Sequence, residues 1–339
     1  MSGVVGAVAS VLLLAACSGG TAGAGTTGPS TPTASASTSP ATTPSSAPSA
    51  SAAPRQRATS STSAGAPASS GRAATGPAVS KLLVVVFENH SAQQATDQMP
   101  HLAQLSQQYG RAANWYAVAH PSLPNYLEIT GGSTFGVSDD ANPAAHPLSG
   151  PSVFGQLAAH DHPVAAYAED MPQNCAQHGE GEYAVKHNAW AYFTDPTERR
   201  LCDAHDVPAG TASSGAFRDA VDRGRLPAYA QLIPNLCHDG HDCPLSQADA
   251  WLGQSMDLVR SGPDFTSGRL AVVITFDEDD HHADNHVLTV VVARQLHHVV
   301  VGQRMTHASL AAAPSRMVGL PPLRGAQGSP DLLKAFGLN

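Results

Sequence analysis

Beyond residue 78 the hydrophobic residues fall into short uninterrupted runs, each closed by polar side chains. Leu82 to Phe87 runs into Glu88-Asn89, and Leu270 to Phe276 runs into Asp277-Glu278-Asp279-Asp280. Pro163 to Tyr167, Ala228 to Ile233 and Val287 to Ala293 repeat the pattern. Apolar runs of this length, rich in β-branched residues and lacking polar alternation, describe strands buried on both faces. Between them lie helical stretches. Pro100 to Tyr109 carries Leu102 and Leu105 one turn apart and stops at Gly110; Ser152 to His160 and Asp249 to Arg260 are further candidates. Ala112 to Val118 leads into His120-Pro121-Ser122, and Tyr126 to Ile129 continues as helix behind it. Residues 171–215 read as a loop-rich insertion carrying Lys186-His187. The recurring strand–helix–strand order predicts an α/β domain whose mostly parallel sheet is covered on both faces.

The first 78 residues change the picture. Residues 1–17 form a short apolar segment around Val11 to Leu14 that ends in Leu14-Ala15-Ala16-Cys17. It is too short to span a bilayer and reads as a lipoprotein-type signal peptide closing on a lipobox cysteine, although no Lys or Arg precedes its apolar core. Residues 18–78 are Ser, Thr, Ala, Gly and Pro with almost no large apolar side chains, a composition expected of a disordered tether. Residues 79–339 are long enough for one large catalytic domain. The expectation is an exported protein, held at the outer face of the membrane by its lipid anchor alone, or secreted.

Charge excludes some partners. The chain carries 18 Lys and Arg against 27 Asp and Glu, a formal net charge of −9. Nucleic-acid binding needs a basic stripe that is missing here, and there is no basic amphipathic helix to lie on a membrane. There are 5 cysteines. With Cys17 set aside, the even remainder in an exported chain favours disulfides. Sequence does not fix the connectivity; the expected pairs are Cys237–Cys243, which would close a tight local loop, and Cys175–Cys202, with a zinc site the alternative, though no Cys-x-x-Cys occurs.

In open α/β sheets chemistry sits just beyond the carboxyl ends of the strands. Two acid groups delivered there would repel each other unless a cation sat between them. A serine at a helix start is most often a cap. Ser122 also has the position of a phosphoryl nucleophile, framed by Pro121 and Pro124, with Asn125 one turn on to donate to a phosphate oxygen. A serine hydroxyl needs activation, and a directly bound divalent cation supplies it. The expected cluster is Glu88, Asn89, Ser122, Asp277 and Glu278 around one metal; such oxygen donors suit Mg, Ca or Mn more than Zn. Asp279 and Asp280 are expected in a solvated acidic loop. Asp239 and His241 are candidates for a second metal site, with His307 a distant third ligand. Among 17 histidines such neighbours also arise by chance. His281, His282, His297 and His298 are expected at the surface. Lys186-His187 either meets the transferred phosphate or lies in solvated loop.

FENHS (87–91), AHPSLPNYLEITGGSTFG (119–136), AEDMPQNC (168–175), YAVKHNAWAYF (183–193), IPNLCHDGHD (233–242), ADAWL (248–252) and ITFDEDD (274–280) occur in the order of the bacterial phosphoesterase family. The chain resembles that family across 80–322. The family belongs to the alkaline phosphatase superfamily and includes secreted acid phosphatases, phosphatidylinositol-3-phosphate phosphatases and phospholipases C. The resemblance implies a three-layer αβα sandwich, alkaline phosphatase-like, and a phosphoserine intermediate on Ser122. It implies metal ligation by Glu88, Asn89, Asp277 and Glu278, a second metal or phosphate contact from Asp239, His241 and His307, and His120 and His187 as stabilisers of the transferred group or donors to the leaving oxygen. It also implies phosphorylated small molecules or phosphoinositide head groups as substrates. One departure stands out: Pro314 falls inside the helix expected after His307. The leading expectation is a phosphate monoesterase. The alternatives are a phosphodiesterase or phospholipase C, and a surface binding protein without turnover. A serine esterase lacks its Gly-x-Ser-x-Gly elbow here.

Overall fold

The computed structural model describes residues 78–339. The signal-peptide, lipobox and tether expectations, and the localisation resting on them, lie outside the described residues. The described residues form ten strands: β1 (Lys81–Phe87), β2 (Gly110–Ala112), β3 (Trp115–Tyr116), β4 (Val164–Ala168), β5 (Asp206–Pro208), β6 (Tyr229–Ile233), β7 (Leu270–Phe276), β8 (Thr289–Ala293), β9 (Val299–Val301) and β10 (Met305–Thr306). Eight of them form one sheet in the order β5-β4-β6-β1-β7-β8-β2-β9, and β10 pairs with β3. All pairings in the large sheet are parallel except those of β8, which runs antiparallel to β7 and β2.

The central strands are the most apolar, as burial on both faces requires. Every residue of β7 is buried, as is every residue of β1 after Lys81. Two groups of helices complete a three-layer αβα sandwich. Helices Ala92–Gln98, Pro100–Gln108 and Leu245–Ser261 pack together, and helices Ser122–Gly131, Val153–Ala158, His307–Met317 and Leu332–Ala335 form the other group. Among the described residues no helix is long and apolar enough to cross a membrane.

The insertion at 171–215 is more ordered than its composition suggested. It contains short 3-10 helices Val185–His187 and Ala189–Tyr192, helix Pro196–His205 and edge strand β5. Trp190, Tyr192 and Phe193 anchor it in the core. Both expected disulfides are formed, Cys175–Cys202 and Cys237–Cys243, so no thiolate is left for the alternative zinc site. Asp206 joins Cys175 and Cys202 in a tight buried cluster, but the two sulfurs are bonded to each other.

Candidate active site

Register brings the first acids together. Phe87 of β1 pairs with Phe276 of β7, so Glu88 and Asp277 leave the sheet at matched positions. The Asp277 N–H donates to the Phe87 carbonyl at 2.8 Å. The next backbone N–H, that of Asn89, donates to Asp277 Oδ1 at 3.0 Å. Asn89 takes a left-handed φ of 55°, a conformation asparagine tolerates better than most residues.

Helix Ser122–Gly131 delivers the serine. Its carboxyl end is closed by Gly132 at φ 71°, where a side chain would strain the cap. Ser122 is the first helical residue and is buried. Its hydroxyl donates to Glu88 Oε2 at 2.9 Å, and Lys186 Nζ donates to Ser122 Oγ at 3.4 Å. Asn89 Nδ2 donates to the same Glu88 oxygen at 3.1 Å. The first turn offers fewer donors than a typical helix start: the Leu123 N–H is taken by Asp140 Oδ1 at 2.9 Å, and Pro124 has none.

Asn125 is fully occupied as a brace. Its Oδ1 accepts from the N–H groups of Val118 and Ala119, and its Nδ2 donates to the Ala119 carbonyl and to Glu278 Oε2 at 3.2 Å. His120 bridges the acids behind it, with Nδ1 3.1 Å from Glu278 Oε2 and Nε2 3.2 Å from Asp279 Oδ1. The exposed ring of His281 stacks on it at 3.9 Å. Asp279 is not a solvated loop residue as expected. It is buried and accepts from the backbone N–H groups of His281, Ala283 and Asn285. Those donors, with His120, hold its carboxyl below the usual aspartate range despite burial.

The loop after β6 brings Asp239 from the other side. His187 lies buried between Asp239 and Glu88, with Nδ1 2.9 Å from Asp239 Oδ2 and Nε2 3.1 Å from Glu88 Oε1. Its ring stacks on Tyr126 at 5.0 Å. His187 is thus not in solvated loop; it is buried between two carboxylates. His241 lies further out, its N–H donating to Asp239 Oδ1 at 2.8 Å and its Nε2 3.5 Å from Lys186 Nζ. His307 is not brought to this pair. Its Nε2 meets the Asp277 carbonyl at 2.6 Å and its Nδ1 accepts from Trp115 Nε1 at 3.3 Å. An imidazole that donates from one nitrogen and accepts at the other has no lone pair left for a metal. Burial pushes its ring down to about 4. Helix His307–Met317 forms with Pro314 inside it, near its last turn.

Sequence reasoning missed Asp140. Its Oδ2 accepts from Lys186 Nζ at 3.2 Å, which aims the lysine at Ser122. No spacing signal around Asp140 marks it. Lys186 was legible only as the partner of His187.

The electrostatics call for added positive charge. Burial, then Glu88 and Glu278, push Asp277 well above the usual aspartate range. Burial, then Glu88 and Asp140, push Glu278 up to about 8. Asp239 is raised by burial, with His187 opposing. Burial also acts to raise Glu88, but the charges of His187 and Lys186 and the donors Tyr126 and Ser122 hold it below the ordinary value. Burial pulls Lys186 down, and Glu88 and Asp140 more than reverse this. Buried Glu88 Oε1, Asp277 Oδ2 and Asp239 Oδ2 have no aligned hydrogen-bond donor. Clustered buried carboxylates beside a serine hydroxyl, with Asp277 Oδ2 meeting no aligned donor, form a set that fits a hard divalent cation.

The sequence matches the Phosphoesterase family over residues 80–309. It is 28% identical over 278 residues to phosphatidylinositol-3-phosphatase of Mycobacterium tuberculosis, covering 80% of this chain and 88% of that protein. It is also 28% identical over 246 residues to the phosphate-repressible acid phosphatase of Penicillium chrysogenum, covering 69% of this chain and 58% of that protein. The fold is similar to that of a Vibrio parahaemolyticus protein in the alkaline phosphatase superfamily. The TM-score is 0.52 at 11% identity, with 77% of this chain and 71% of that chain covered. With acids at two matched strand ends and a serine at the helix start beside them, the chain belongs to the Phosphoesterase family and is a hydrolase of phosphoric esters.

Proposed function

We propose that the protein is a phosphate monoesterase in which Ser122 is the nucleophile and a divalent cation is held by Glu88, Asp277 and the Ser122 oxygen. Asn89 and Glu278 complete the cluster. The observation that carries this reading is the Ser122 Oγ contact with Glu88 Oε2 at 2.9 Å, with Lys186 Nζ 3.4 Å away. When bound, the cation lowers the pKa of the hydroxyl and offsets charge on the phosphoryl oxygens.

The chain's own groups account for the rest. Glu88 Oε2 accepts the serine proton as Ser122 Oγ bonds to phosphorus and the ester P–O bond breaks. Lys186 supplies positive charge beside the reacting oxygen, which matters because the helix start has few free N–H donors. To His241, exposed and with Nε2 3.5 Å from Lys186 Nζ, we assign the proton for the leaving oxygen. Water then releases inorganic phosphate from the phosphoserine, the proton transfers running in reverse. His187, Asn125 and His120 orient the acids rather than touch substrate. Asp239 joins through His187 as the nearest anchor for any second ion.

The relatives named acid phosphatase and phosphatidylinositol-3-phosphatase support a monoester substrate, either a small molecule or a phosphoinositide head group. The purified protein is assayed on p-nitrophenyl phosphate and bis(p-nitrophenyl) phosphate, with and without chelator and with metal restored. Release from the monoester, lost with chelator and regained with metal, supports the reading. Turnover of the diester alone assigns a phosphodiesterase instead, and binding without turnover a surface receptor.

A further inference from the structure

A cleft of about 470 Å3 lies beside the site, joined to buried Ser122 through Lys186 and Asp140 of its lining. Lys186 lies on its floor, and the Nζ that reaches Ser122 Oγ also contacts Asp140 Oδ2 and lies near His241 Nε2. The walls carry Asp140, Glu180 and Asp242 against the single fixed cation Lys186. Asp242 is half-exposed and holds His241 Nδ1 at 2.6 Å, so it turns the histidine without being consumed by it. Glu180 is exposed on a tight turn closed by paired backbone hydrogen bonds with Tyr183. Tyr183, the one tyrosine in the lining, is 2% exposed, so the exposed imidazole of His241 is the only ring the cleft presents.

We propose that this cleft receives the leaving group and, of the two substrate classes above, selects small phosphomonoesters whose alcohol is an uncharged, hydroxyl-rich body over phosphoinositide head groups, which carry a further phosphate. The inference rests on the monoesterase reading above. The phosphoryl group being transferred is neutralised on the floor. Whatever extends outward passes carboxylates, which accept hydrogen bonds from hydroxyl donors and repel a second anionic group. A nucleoside di- or triphosphate is disfavoured by its added phosphates. The discrimination against one extra phosphate is on the order of tenfold, the scale of surface charges several ångströms apart.

The test uses the metal-loaded protein at low ionic strength. Initial rates are compared for glucose 6-phosphate and glucose 1,6-bisphosphate, scaled per phosphoryl group, with p-nitrophenyl phosphate alongside. The expected result is a kcat/KM about tenfold higher for the monophosphate. That ratio should fall toward unity in Glu180→Gln/Asp242→Asn. It should also fall in the unmodified protein at about 1 M salt, where the screening length shrinks to about 3 Å. The salt series needs no variant and stands if the double substitution fails to fold. Equal rates on both sugars at low salt, or a ratio unmoved by salt, overturn the cleft assignment while leaving the monoesterase reading intact. No phosphate from any of the three substrates overturns the monoesterase reading itself.

Discussion

His307 Nε2 lies 2.6 Å from the backbone carbonyl oxygen of Asp277. The histidine, fully buried and held on its other side by Trp115 Nε1, fixes the point where β7 ends and the site begins. His307→Phe removes both hydrogen bonds without shrinking the side chain. The Trp115 N–H and the Asp277 carbonyl lose their partner, which costs about 1–3 kcal/mol. Thermal unfolding should show a lower Tm, while metal stoichiometry at saturating concentration stays that of the unmodified protein. A lost equivalent of metal with Tm unchanged would make His307 a ligand after all.

Ser122→Ala should reduce phosphate release by more than about 10^3-fold, the scale seen when an attacking group is deleted. The Ser122 hydroxyl is one donor among several on Glu88, so folding should survive. Activity within tenfold of the parent would assign the attack to another group.

Asp277→Asn keeps the shape of the side chain and removes a buried charge. It also relieves repulsion with Glu88 and Glu278, so the apo protein should be at least as stable as its parent. Metal content by elemental analysis should fall below one equivalent. Full occupancy in this variant removes Asp277 from the ligand set.

Lys186→Met retains the aliphatic stem and deletes the charge 3.4 Å from Ser122 Oγ. Loss of one charge-stabilising donor predicts a fall in kcat of about 10^2-fold. The loss should be in kcat more than in KM, because the ammonium contacts the oxygen proposed to attack. A pure KM effect would place Lys186 on the leaving group alone.

Asp206 gives a pH prediction away from the active site. Burial pushes its carboxyl up to about 7 from an ordinary 3.8, with the Asn188 amide and Arg199 opposing. A raised folded-state value means that the native state holds the proton more tightly. The stabilisation is complete below about pH 4 and is lost as pH climbs through 7, a change of at most about 4 kcal/mol. Asp206→Asn should therefore flatten the denaturant midpoint between pH 4 and 7 relative to the parent. Parallel pH curves for the two proteins would show that Asp206 is ionised throughout.

Much of this architecture is legible in residue order. The run Leu270 to Phe276 coincides with β7, and four other apolar runs fall within two residues of strands. What they could not reveal is direction: β8 reads like its neighbours yet runs antiparallel, because a strand buried on both faces has the same pattern either way. Glu88, Ser122, Asp277 and Glu278 stood out because acids and a proline-framed serine followed such runs. Asp140 did not, and Lys186 was marked only as a possible phosphate contact, since their meeting depends on how the loop after helix Ser122–Gly131 and the insertion fold over each other. Asp279 was misjudged because its charge is met by backbone N–H groups, which leave no trace in side-chain identity. His307 lay beside the expected ligands in motif order, but tertiary packing turned it toward Trp115.

The pairing of Phe87 with Phe276 also limits how the enzyme can evolve. Side chains alternate faces along a strand, so inserting or deleting a single residue in β1 or β7 would invert everything downstream and point one acid away from the other. Loops around the cleft are free to lengthen and to retune which esters are accepted, but the two inner strands must keep their residue count in step, and drift in one has to be answered in the other.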